Sequence, residues 1–157
     1  MAKYNIPESS ILAREPAAAY QKIEKTLKVV DKIGDDRFLM EMSIKGIPFA
    51  TFEKATATLP FSLQDWADYL NMPIRTLYRY KQESRVFKDH YAERILGIIR
   101  LVKEGAIFFD ELEHFYEWLN IPNPALSSRR PKEFLLSSFG IQILTDLIGQ
   151  MKHGIFA

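Results

Sequence analysis

Arg75, Tyr78, Arg79 and Gln82 recur at i, i+3, i+4 and i+7, so any helix that carries them shows all four on one face. Guanidinium groups donate in pairs to guanine edges and a glutamine amide pairs with adenine, so such a face can read duplex DNA. Thr76 and Lys81 stand beside it and suit phosphate contacts. A helical hairpin with a solvated basic face would show the same pattern. No catalytic set emerges elsewhere. His90, His114 and His153 are far apart and lack metal-ligand spacing, and no glycine-rich phosphate loop or nucleophile elbow is present. Glu111, Glu113 and Glu117 read as a solvated helix face. Without cysteine, disulfides and thiolate metal sites are excluded. The expectation is therefore a protein with no enzymatic activity, no cofactor and no metal.

Holding a DNA-reading face requires two helices crossed steeply, with a small residue in the first, a tight turn, and apolar residues at the contact. Residues 63–82 supply these parts. Ser62 is a good N-cap, and Asp65 complements the positive end of a helix over Leu63–Leu70. Ala67 is the small residue. Asn71, four positions later, takes the place where glycine is usual and is the next best residue for a left-handed turn. Pro73 suits the first turn of the second helix, and Trp66, Leu70, Met72, Leu77 and Tyr80 then fall inward.

Helical periodicity continues through nearly all of the chain, and no sustained period-two alternation is found, so the fold class is all-α. An amphipathic helix is expected over Pro16–Asp31, with Tyr20, Ile23, Leu27 and Val30 on one stripe. Short helices follow over Arg37–Lys45, closed by Gly46, and over Phe49–Thr58. Later ones span Lys88–Phe109, Asp110–Leu119, a short stretch from Pro131 to Leu136, and Ser138–Met151 with Ile141, Leu144, Leu147 and Ile148 inward. With 47% hydrophobic and 26% charged residues the chain has the balance of a folded protein, and 157 residues suffice for one core or two small helical subdomains. The net charge of +1 conceals a basic segment, 73–103 with net +5, followed by an acidic one, 104–128 with net −5. Two surfaces with different partners are implied. No signal-like stretch or membrane-length apolar run occurs, and a cytoplasmic protein is expected.

From Glu117 the sequence reads EWLNIPNPALSSRRPKEFLLSSFGIQILTDLIGQMKHGIFA. Trp118-Leu119, Pro122-Asn123-Pro124-Ala125-Leu126, Pro131 with Leu135-Leu136, Gly140, Leu147-Ile148-Gly149 and His153-Gly154 follow in order. In these motifs the chain resembles the Xre/MbcA/ParS antitoxin family. Glu93-Arg94, Arg100-Leu101 and the helix-turn-helix stretch RTLYRYK are similar to further family positions. Ser127-Ser128 stands where many members have Gly-Gly, and Arg130 replaces a common Thr, which leaves the shape of that loop open.

The resemblance covers roughly residues 46–157. It implies an Xre-like helix-turn-helix part at 46–84 and a helical toxin-binding and dimerisation domain at 85–157, with 1–45 as a helical extension. It implies as partners a cognate RES-domain toxin, which degrades NAD or transfers parts of it, and operator DNA. The antitoxin would cover or enter the toxin's cleft, repress its own operon and form a homodimer. Toxin contacts are expected from Trp118, Asn123, His153, Gly154, Ile155 and Phe156. Four of these have a second reading: Trp118 as core, His153 as a cation at a helix C-terminus, and Ile155 and Phe156 as a tail folded onto its own core. The other functional class is a stand-alone helix-turn-helix regulator whose C-terminal half only dimerises.

Overall fold

A computed structural model describes residues 36–154. The expected helix over 16–31 and the Ile155-Phe156 pair lie outside them. Seven α-helices follow one another: α1 (Asp36–Lys45), α2 (Phe49–Thr56), α3 (Leu63–Tyr69), α4 (Ile74–Gln82), α5 (Asp89–Phe109), α6 (Leu112–Asn120) and α7 (Ser138–Lys152). Two 3-10 segments, Pro124–Leu126 and Pro131–Leu136, bridge α6 to α7. The all-α expectation holds, with one addition. Strands β1 (Ile47–Pro48) and β2 (Val86–Phe87) pair antiparallel, Ile47 opposite Phe87. Two residues are too few for an alternating pattern to register in a sequence.

The long α5 is the spine. Its apolar face (Ala92, Ile95, Ile98, Ile99, Leu101 and Val102) is buried from end to end. Helices α1, α6 and α7 all pack on it. One continuous hydrophobic core runs from Ile47 to Ile148. Around α2, α3 and β2 it is aromatic: Phe52 meets Trp66 edge-on at 5.1 Å and Phe87 at 5.1 Å. A second aromatic group, Phe109, Phe115 and Trp118, fills the hairpin between α5 and α6. That hairpin closes tightly at Gly105, where a Cβ would overlap the Phe115 ring.

Left-handed residues stop most of the helices. Gly46 (φ 87), Asn71 (φ 52), Ser84 (φ 49), Asp110 (φ 64) and Gly154 (φ 66) follow α1, α3, α4, α5 and α7 respectively. Such a residue turns the chain so that orphan carbonyls of the last turn are satisfied. Asp110 also delays α6, which begins at Leu112 rather than at Asp110.

Candidate nucleic-acid interface

The helix-turn-helix is built as its residue types require. Ser62 Oγ accepts from Asp65 N at 3.1 Å, while Asp65 Oδ2 accepts from Ser62 N at 2.7 Å, a reciprocal cap that opens α3. At the other end Met72 N donates to Ala67 O and Asn71 N to Asp68 O, both at 3.0 Å. Asn71 is thus the left-handed residue of a Schellman turn, the job expected of it. Ala67 is wholly buried where the helices cross, with Trp66, Leu70, Met72 and Leu77 beside it. Tyr80 is half-buried and stacks on Phe87 at 4.7 Å. Tyr69 lies against Phe61 and Trp66, and burial, with Asp65 and Asp68 nearby, pushes its hydroxyl up to about 12.

On α4 the outward face is as the spacing implies. Arg75, Tyr78, Arg79 and Gln82 are all exposed, and Thr76 sits half-buried at the edge. Lys81 is exposed too, but its Nζ donates to Glu53 of α2 at 2.7 Å, so a phosphate would have to compete with that carboxylate. Much of the basic segment is spent in the same way. Arg85 pairs with Glu83 and lies over the Tyr80 ring at 5.6 Å. Arg94 is half-buried, and its Nη1 donates to Tyr69 O at 3.0 Å. That bond fastens α5 to the end of α3, where a cation offsets the helix's negative pole. The local +5 therefore overstates the charge available to a nucleic acid, since Lys81, Arg85 and Arg94 are engaged within the fold while Arg75 and Arg79 stand exposed on α4.

Two expected partner contacts need correction. Trp118 is 6% exposed, stacked on Phe115 at 5.9 Å and against Phe109 at 5.5 Å, so it belongs to the core. Asn123 is 5% exposed, and its Oδ1 accepts from Ala125 N at 2.9 Å. Its backbone N–H bonds Arg129 O and its carbonyl accepts from Ser128 N. It caps the Pro124–Leu126 turn and ties the loop together, which is a structural role within the fold. His153 and Gly154, by contrast, are exposed at the end of α7. Sequence reasoning also overlooked Phe139, 77% exposed, and Leu136, 50% exposed. Phe139 precedes Ile141 by two residues and Ile148 by nine, which at 3.6 residues per turn is the side away from the core. That phase was the available signal.

Among the described residues no group of three or more His, Asp or Glu could hold a metal ion, and no helix is long and apolar enough to cross a membrane. His114 Nδ1 lies 3.9 Å from Glu111 Oε2.

Two family models match the chain. Residues 38–100 match the antitoxin Xre-like helix-turn-helix domain, and residues 105–154 match the antitoxin Xre/MbcA/ParS C-terminal toxin-binding domain. Over 87 residues the chain is 28% identical to Antitoxin Xre of Yersinia enterocolitica serotype O:8 / biotype 1B, an alignment that spans 55% of this chain and 59% of that relative.

Proposed function

From the premise that this chain belongs to the Xre/MbcA/ParS antitoxin family, we propose that it holds a partner toxin inactive with its C-terminal half and binds its own operator through α4. One observation carries the reading: a toxin-binding domain at 105–154 shares a single core with a helix-turn-helix whose second helix exposes Arg75, Tyr78, Arg79 and Gln82 together. The toxin is of the RES type and consumes NAD, and the antitoxin neutralises it by covering its active site. The chain performs no chemistry of its own and acts as a regulator in the cytoplasm. Toxin contact falls to the exposed end of α7 at His153 and Gly154, and to Ile155 and Phe156 beyond it. As a homodimer the protein presents two α4 helices to half-sites one helical turn of DNA apart and represses its own operon.

Two measurements test this. Arg75→Ala or Arg79→Ala should each weaken specific operator binding by about 1–3 kcal/mol while neutralisation survives. An anisotropy titration against the chain's own promoter that shows unchanged affinity would remove α4 from the role. Co-expression of the chain with a RES-domain toxin encoded in its own operon should restore growth. Operator binding without rescue would leave a stand-alone regulator whose C-terminal half only dimerises.

A further inference from the structure

The corner that joins the 3-10 helix Pro131–Leu136 to α7 is built rigidly, yet it turns large apolar groups to solvent. Ser137 Oγ accepts from Gly140 N at 2.9 Å and caps α7. Gly140 is buried so tightly that a Cβ there would overlap the Phe134 carbonyl. The Leu-Leu pair is split by this corner, with Leu135 1% and Leu136 50% exposed. Phe139 follows in the first turn of α7 and, at 77%, is the most exposed large hydrophobic among the described residues. Half-buried Ile143 lies one turn on and Leu147 two turns on, which extends an apolar edge along the helix. Apolar groups carried on a backbone fixed in this way suit the anchor of an interface, because little chain ordering is left to lose on binding.

The geometry points to Leu136 and Phe139 as the hydrophobic anchor of the toxin interface, seated in an apolar pocket of the toxin. This inference rests on the antitoxin reading above. The occupant is the toxin because the whole corner and its apolar edge lie within residues 105–154, which match a domain described as toxin-binding, and outside residues 38–100, which match the helix-turn-helix domain. The edge also leads along α7 toward the exposed His153 and Gly154, which gives one surface that continues onto the contacts already proposed.

Phe139 is the second residue of α7, where a carboxylate interacts favourably with the positive helix end. Phe139→Glu therefore removes the anchor without weakening the helix, and its melting temperature should equal or exceed that of the native chain. Affinity for a RES-domain toxin that the native chain binds, measured by calorimetry with both proteins purified, should fall roughly 30-fold or more. Phe139→Leu should recover most of it, and operator binding should be unchanged in both. A photo-crosslinking residue at position 139 should link to the toxin in the co-purified complex. Crosslinks between copies of this chain, or loss of the dimer in Phe139→Glu with toxin affinity intact, would overturn the assignment in favour of a self-association surface. Equal toxin affinity for the native and Phe139→Glu chains would overturn it outright. If the native chain itself binds no such toxin, the antitoxin reading fails first and this inference falls with it.

Discussion

Ser127 and Ser128 stand one after the other in the left-handed region, at φ 54 and φ 59. Ser127 N donates to Pro124 O and Ser128 N to Asn123 O, so the loop is closed on itself and cannot relax these angles without losing bonds. The loop thus keeps the conformation for which Gly-Gly is best suited, and the two serines carry the steric penalty of a side chain there. Ser127→Gly or Ser128→Gly should each raise stability by about 1 kcal/mol, less whatever the added freedom of the unfolded chain takes back. Chemical denaturation of the two variants beside the native chain checks this. A lowered midpoint in both would mean that the loop is not strained. Asn71 meets the same demand at φ 52 with a residue that tolerates it better, which is why its role could be read from its type.

Among the elements, the 3-10 helix Pro131–Leu136 depends most on charge. Glu133 Oε1 accepts from Arg130 N at 3.2 Å and its Oε2 from Arg129 Nε at 3.1 Å. The backbone bond first, and the arginine side chain second, hold its carboxyl below the ordinary value of 4.5. Arg129 in turn lies over the Phe134 ring at 5.2 Å. Since the folded value is the lower one, the stabilisation is complete above the ordinary value and is lost as pH falls through the depressed one. Native protein should therefore be more stable than Glu133→Gln at neutral pH, with the difference lost as pH falls below the ordinary carboxylate range. Equal stability at both pH values would show that the cap contributes nothing. At the scale of elements the sequence was informative wherever a helix stop used glycine or asparagine. Ser84 and Asp110 end α4 and α5 in the same left-handed way, but as residue types they do not announce it.

For the molecule as a whole the decisive feature is α5, which passes without a break from the part that matches the helix-turn-helix domain into the part that matches the toxin-binding domain. Because both parts bury side chains on it, they share one core, and unfolding should be a single cooperative event. The two tryptophans make this measurable: Trp66 reports on the first part and Trp118 on the second. Melting curves of Trp66→Phe and Trp118→Phe, followed by the remaining indole, should describe one process. A Gly105→Ala change, which forces a methyl against the Phe115 ring, should cost about 1–3 kcal/mol and move the transition seen by either indole. Separate transitions, with only the Trp118 signal shifted, would mean that the parts fold as independent units.

Composition and periodicity alone determined that the chain is helical, where most helices lie, and that Arg75, Tyr78, Arg79 and Gln82 share a face. These are properties of local spacing, since 3.6 residues per turn fixes them before any packing occurs. The motif order from Trp118 to Gly154 was likewise enough to point to the family. Which motif residues remain free for a partner was decided only by tertiary structure. Trp118 and Asn123 are drawn inside by Phe109, Phe115 and the Pro124–Leu126 turn, Lys81 is engaged by Glu53 from another helix, and Arg94 by the end of α3. Of the Leu135-Leu136 pair, only Leu135 is covered, at a corner where Gly140 closes on the Phe134 carbonyl, whereas the outward phase of Phe139 was already legible in its spacing. Burial and pairing depend on neighbours distant in sequence, and a one-dimensional pattern carries no record of which of two apolar residues the fold will cover.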